Sequence, residues 1–297
     1  INRLAIFTLP QEMIGFYKHH IRYIKENAVN PDRRRYAVEG EAPKHYIDLD
    51  VYSDSAAYKL PRYWHDAVEA YSEDTLKKYG TVPWHINFMA LQLTDAMRIN
   101  DAAAILKLSA DLGHYVADAH VPLHTTENYN GQLTGQHGIH GFWESRLPEL
   151  YAREYDFFVG RAEYIENVQL ATWEAVIQAH QAVDSVLHFE KQLDQQVAED
   201  KQYAFETRGQ QTIRAYAREY AQAYHKKLGG MVERQMRASV KMTGDIWYTC
   251  WVNAGQPNLE ALIDFSWSEE ELKKRKEALD QWKEKRFKTR EHESNDL

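Results

Sequence analysis

Helical periodicity is the feature that most restricts this chain, because most of its segments read as helix and few as anything else. From Gln11 to Asn27 the apolar residues Met13, Ile14, Phe16, Tyr17, Ile21 and Ile24 fall close to helical spacing. Asn30-Pro31-Asp32 is a turn signal, and the stretch from Arg33 to Asp54 has no helical period. Helices are expected over Tyr63 to Lys78, Trp84 to Ile99, and Ala102 to about His120. Asn100-Asp101 can cap the last of these, and Val121-Pro122 closes it, since proline disfavours helix in the residue before it. A Gly-, Asn- and Gln-rich stretch from Tyr129 to Gly141 reads as a loop. Beyond it, helices are expected over Phe142 to Tyr151, Ala162 to Leu187, Gln210 to Leu228 and Met231 to Asn253. From Ser268 the chain is dense in Lys, Glu and Arg, which reads as a solvated helix capped by Ser268 and a disordered end from Glu291 to Leu297. The expected architecture is all-α: one multi-helix domain over 1–267, then a charged C-terminal helix and tail over 268–297.

Composition narrows the function. A length of 297 residues with 44% apolar content allows one large globular domain with a real core. A formal net charge of −8 argues against a sequence-independent grip on nucleic acid, which rests on Lys and Arg neutralising phosphates. A local positive site made by metal ions stays open. The one cysteine, Cys250, permits no intrachain disulfide and reads as a small buried hydrophobe. No apolar run approaches the ~18 residues of a membrane span, so no integral membrane segment is expected. No obligate protein partner is evident. The start at Ile1 looks like a processed chain whose signal peptide has been removed, so the expected location is secreted or periplasmic.

The chemistry concentrates between residues 114 and 144. His114 and Asp118 are four apart on an expected helix, which stacks them on one face, about 5–6 Å apart at Cβ. An imidazole nitrogen and a carboxylate oxygen can then meet one cation. His124 follows just past the helix end, where the chain must turn and can reach back. The spacing recurs in His140-Gly141-Phe142-Trp143-Glu144. One such pair alone reads as a surface hydrogen bond, but two pairs plus His124 in so short a stretch read as metal binding. His120 should point to another face, and His137 is a candidate outer partner of His140. His19, His20, His65 and His85 carry no partner pattern and read as structural.

His-Tyr-x-x-Asp-x-x-x-Pro-Leu-His over 114–124, followed by His-x-x-x-Glu, resembles the zinc-dependent phospholipase C and single-strand-specific nuclease superfamily. The likeness extends more weakly over most of 1–255. It implies a mostly helical fold with a metal cluster between helices, and cleavage of phosphate esters in phospholipids, nucleotides or single-stranded nucleic acids. His45-Tyr46-Ile47-Asp48 fits the family's His-aromatic-x-Asp piece, and Asp32 is the preferred carboxylate upstream of it, with Asp48 and Asp50 as rivals. By this resemblance one zinc takes Asp32, His45, His114 and Asp118, and a second takes His124, His140 and Glu144. Asp118 also bridges toward a third zinc. The family holds that third ion with an N-terminal Trp and a nearby His, both missing from this chain, so two or three ions are expected. Three protein ligands on the second zinc leave a place for water, the mark of a catalytic site.

The implied reaction is attack on phosphorus by metal-bound hydroxide, with Asp118 and Glu144 as the catalytic carboxylates. Two zinc ions against three carboxylates leave about +1 at the site, and three leave about +3. Glu144 and the piece His124-Thr125-Thr126-Glu127-Asn128-Tyr129 resemble the phospholipase branch, whereas Pro122-Leu123-His124 suits the nuclease branch equally. Tyr129, Phe142 and Trp143 offer aromatic surface for a base or for the core. Three rivals stand beside the hydrolase: an inactive zinc-binding helical relative, a scaffold whose charged tail docks a partner, and a site for iron or manganese.

Overall fold

The Ala102–Asp118 helix begins where the Asp101 carboxylate accepts the Ala104 amide at 3.0 Å. It pairs with the Val82–Arg98 helix across a tight turn that Asn100 makes possible with φ 57°, a conformation that asparagine tolerates better than most residues. This is the scaffold of the computed structural model, which describes residues 1–53, 55–209 and 211–284. The Val168–Gln181 and Met231–Asn253 helices pack against that pair. Leu93, Leu112, Val116, Trp173, Ile246 and Trp247 are buried in the resulting core, each worth roughly 2 kcal/mol relative to exposure. Tyr17 stacks on Trp247 at 4.9 Å and shares a hydrogen bond of 2.9 Å with Ser109. Cys250 is buried here, as a small hydrophobe would be. The N-terminal turn lies against Gly113, where any side chain would collide with Asn2, and Asn2 donates to the Ala110 carbonyl at 2.9 Å.

The class is all-α, but several boundaries differ from the sequence expectation. The Gln11 to Asn27 stretch is two helices, Gln11–His19 and Ile21–Asn27, broken at His20. Tyr63 to Lys78 divides into Trp64–Tyr71 and Glu73–Tyr79 at Ser72, whose hydroxyl caps the second helix at the Thr75 amide. Asn30-Pro31-Asp32 is the first turn of a short helix, Asn30–Arg35, where the absent proline N–H costs nothing.

Two expected helices are partly wrong. Ala162 to Leu187 opens with an extended strap. Its amides are claimed elsewhere: Ala162 by the Thr8 carbonyl, Glu163 by Asp245 Oδ1 at 2.7 Å, and Ile165 by Thr249 Oγ1 at 2.9 Å. Helix starts only at Val168–Gln181, capped by Asn167, and continues as Val183–Asp194. Gln210 to Leu228 holds a strand before its helix. Tyr203–Arg208 pairs antiparallel with Gln211–Tyr216, in a register from Tyr203↔Tyr216 to Arg208↔Gln211, with Gly209 at φ 61°. The helix is then Arg218–Lys227. Aromatic and β-branched residues in Tyr203, Phe205, Thr207, Thr212 and Ile213 favour the pleated form.

This hairpin belongs to a second core with Phe142, Trp143, Leu147, Tyr220 and Tyr224. Tyr216 stacks on Phe142 at 3.8 Å, nearly parallel. Phe142 and Trp143 are therefore core aromatics. Within the charged 268–297 segment a helix spans Glu269–Glu284, and the expected disorder of Glu291 to Leu297 lies outside the described residues. Among the described residues, no helix is long and apolar enough to cross a membrane.

Candidate metal centre

Two groups of metal-type donors lie at the seam between these cores. The first is Asp32, His45 and His114, and the second is His124, His140 and Glu144. His114 reaches the first from the last turns of its helix, which stops at Asp118 so that Val121-Pro122 can turn the chain. His45 closes the short Ala42–His45 helix. Asp32 comes from the Asn30–Arg35 helix. His114 Nε2 lies 3.2 Å from His45 Nδ1 and 3.5 Å from Asp32 Oδ1, and His45 Nδ1 lies 3.8 Å from Asp32 Oδ1. Donors bound at about 2.1 Å to one tetrahedral ion stand ~3.4 Å apart, so the spacing fits a single cation.

Asp118 adjoins the first group and lies behind the second, because it meets His124 at Nδ1, the ring nitrogen opposite the one that faces His140 and Glu144. Its Oδ2 lies 2.9 Å from His45 Nδ1 and 3.5 Å from His114 Nε2, while Oδ1 lies 3.5 Å from His124 Nδ1. The rival carboxylates Asp48 and Asp50 stand outside both groups. Asp50 accepts from the Thr126 hydroxyl and the Glu127 amide.

The second group is local in sequence. His124 Nε2 lies 3.2 Å from His140 Nε2 and 3.4 Å from Glu144 Oε2, and His140 Nε2 lies 2.8 Å from that oxygen. His140 does not sit in a loop, as the sequence suggested. Helix begins at Ile139, and a π-type turn over Phe142–Arg146 carries Glu144. Single π turns inside helices recur at functional sites. Here the wider turn carries Glu144 while Phe142 stays stacked on Tyr216.

Hydrogen bonds show whether these residues suit a cation. His124 Nδ1 donates to the His45 carbonyl at 2.8 Å, and His140 Nδ1 donates to the Tyr129 carbonyl at 3.1 Å. A carbonyl can only accept, so each imidazole keeps its proton on Nδ1. In the neutral rings both Nε2 atoms then carry lone pairs, 3.2 Å apart and beside the Glu144 carboxylate. A cation between them resolves that repulsion, and carbonyl-anchored imidazoles are the usual outer support of metal ligands. The first group shows the same appetite for positive charge. Burial opposes a charged His114, but Asp118 and Asp32 overcome it and raise its pKa to about 10. Burial raises Asp118 to about 6 despite His114 and His124. His45 moves the other way, well below the usual imidazole range, through burial and then the neighbouring His114.

His45, Asp118, His124 and His140 are buried, whereas the side chains of Glu144 and Asp32 are 27% and 43% exposed. Each group therefore reaches solvent through its own partly exposed carboxylate.

Several supporting residues carried no sequence signal. Asn130 Oδ1 accepts the Gly138 amide at 3.0 Å and the His140 amide at 3.4 Å, which seats the start of the His140 helix. Behind His114, Arg34 pairs with Glu41 at 3.0 Å and Asp111 at 3.1 Å, and the Tyr115 hydroxyl donates to Glu41 at 2.5 Å. An Asn-rich loop and a Tyr after His114 were visible, but their partners were not. His120 faces away, as expected, donating from Nδ1 to the Val116 carbonyl. His137 is exposed and is not the outer partner of His140, a place the Tyr129 carbonyl takes. Of the remaining histidines, His20 packs on Phe16, His85 on Tyr115, and His65 lies at the surface beside Asp66.

The fold and site together define a helical protein with two adjacent clusters that could hold metal ions. Neither a protein-family model nor a curated protein matches the chain.

Proposed function

We propose that this chain is a zinc-dependent hydrolase of phosphate esters, of the phospholipase C or single-strand nuclease type its motifs resemble. The observation that carries the reading is the pair of neighbouring donor groups, each spaced for one cation, with Asp118 beside the first and behind the His124 ring of the second. Mixed imidazole and carboxylate donors at near-tetrahedral spacing suit zinc. Carboxylate-bridged di-iron and di-manganese sites instead draw on Glu-x-x-His pairs three apart, and both pairs here are four apart. Bound zinc supplies activated water near neutral pH and positive charge toward phosphate oxygens.

The chain's own residues prepare that chemistry. The two backbone carbonyls hold His124 and His140 in the tautomer that presents Nε2. Asp118 supplies a buried carboxylate to the first group and lies behind the His124 ring. Glu144 and Asp32 mark where each group reaches solvent, and a phosphodiester enters there. Elemental analysis of the purified protein, paired with turnover of bis-p-nitrophenyl phosphate, tests the reading. Two or more zinc ions per chain and metal-dependent turnover are expected. Bound zinc without turnover makes the protein an inactive zinc-binding relative, and no bound zinc ends the proposal. Phosphatidylcholine against single-stranded DNA then separates the two branches.

A further inference from the structure

The charged C-terminal helix, which the metal chemistry does not use, packs against the short helix that carries the metal-type ligand most in need of support. Asp32 is the most exposed carboxylate of the site, with its side chain 43% exposed. It sits on a six-residue helix, Asn30–Arg35, far shorter than a helix that holds itself together in water. The Glu269–Glu284 helix packs against that short helix and grips both of its ends.

At the N-terminal end, the Arg275 guanidinium lies 4.5 Å over the Tyr23 ring and 4.2 Å over Trp267, two rings that stack on each other at 5.3 Å. The same guanidinium donates to Asn27 Oδ1 at 3.0 Å. That oxygen also accepts from Asn30 Nδ2 at 3.0 Å, and Asn30 is the first residue of the Asp32 helix. At the other end, the Arg34 guanidinium lies over the Trp282 ring, 5.8 Å from its centroid. Arg34 reaches through to Glu41, Asp111 and Tyr115, the residue after His114. Glu271, Arg275, Ala278, Leu279 and Trp282 are the partly covered residues of the C-terminal helix. Their steps of three and four make one stripe, so a single face is committed to the body of the protein.

We propose that the Glu269–Glu284 helix is an intramolecular clamp, with Arg275 and Trp282 as positioning residues that hold Asp32 in the first metal group. The role in metal binding rests on the reading of Asp32 as a ligand, whereas the clamp itself does not. Cation–π contacts that are partly desolvated are strong enough for such a task. The clamp also has a directional consequence: it bears on the Asp32 group and makes no demand on His124, His140 and Glu144.

The full chain carrying Arg275→Ala and Trp282→Ala together tests this by two measurements. Hydrogen exchange on metal-free protein is expected to quicken about tenfold over residues 30–38 and to stay unchanged in the Val82–Arg98 helix. In zinc titration, one site is expected to weaken about tenfold, the scale of losing an outer support, while the other keeps its affinity. Trp282→Phe, paired with native Arg275, should restore both. Unchanged exchange over 30–38 overturns the clamp. Faster exchange with both zinc affinities intact overturns the positioning role. A wild-type chain that binds no zinc refutes the metal reading instead, and the exchange result still decides the clamp.

Discussion

The two donor groups are built in opposite ways. His124, His140 and Glu144 come from one short run of chain, and their support is local: the Tyr129 carbonyl, the Asn130 side chain, and Phe142 stacked in the second core. Asp32, His45, His114 and Asp118 come from three separated pieces. Their support is a buried charge network of Arg34, Glu41, Asp111 and Tyr115. The first kind of site depends on backbone and packing, and the second on ion pairs that must all be present at once. Removing one partner of a buried ion pair leaves an uncompensated charge, whereas loss of a local cap leaves a smaller defect.

That contrast can be broken most severely at Asp118, which lies against His45 of one group and His124 of the other. Asp118→Ala is expected to remove a donor from the first group and the charge behind the Nδ1 side of His124. Turnover should fall by more than the roughly 100-fold that an outer-shell change costs, and the zinc count should drop. If Asp118→Ala keeps full metal content and activity, the two groups are independent.

Packing behind the second group comes next. Phe142→Ala should cost about 4 kcal/mol of stability in denaturant unfolding, since a buried aromatic is lost between Tyr216, Tyr220 and Tyr224. If the two groups are independently supported, a folded Phe142→Leu variant should lose zinc from the second site alone.

The charge network behind the first group should reveal itself through acid. Burial would raise Glu41, but Arg34 and Lys44 overcome it and hold its pKa at about 2 against an ordinary 4.5. A depressed carboxyl stabilises the fold fully above its unfolded pKa, and that stability is lost as pH falls from about 4.5 through about 2. The contribution is on the order of 3 kcal/mol. Unfolding measured from pH 6 to pH 2 should show this slope, and Glu41→Gln should flatten it. An identical slope in the variant would remove Glu41 from the account.

The smallest effect belongs to Asn130. Asn130→Ala removes the acceptor of the Gly138 and His140 amides and should cost about 1 kcal/mol. Zinc affinity at the second site should fall only a few-fold, measured by competition with a chelator. A loss as large as that of Asp118→Ala would mean that the loop does far more than seat the helix.

Much of the site could be read before any fold was known, and the reason is the helix. Spacing of four places His114 over Asp118 and His140 over Glu144 whatever the rest of the chain does. The Asp101 cap and the Val121-Pro122 stop were equally legible, because both are decided within a few residues. The failures lie where distant partners override local preference. The strap before Asn167 stays extended because Asp245 and Thr249, far along the chain, take its amides. The Gln211–Tyr216 strand exists because Tyr203–Arg208 pairs with it and Phe142 covers Tyr216.

The sequence by itself therefore determined the helical class, the two imidazole–carboxylate pairs and His124 beside them, since each is a matter of short-range periodicity and turn chemistry. Short-range pattern without the family likeness did not bring Asp32 and His45 to His114; the tertiary structure does so, sets Asp118 between His45 and the Nδ1 side of His124, and folds the charged C-terminal helix back on the Asp32 helix. Those arrangements need chain segments brought together from far apart. What joins them is burial of a shared core and satisfaction of buried charges, and neither leaves a local mark in the order of residues.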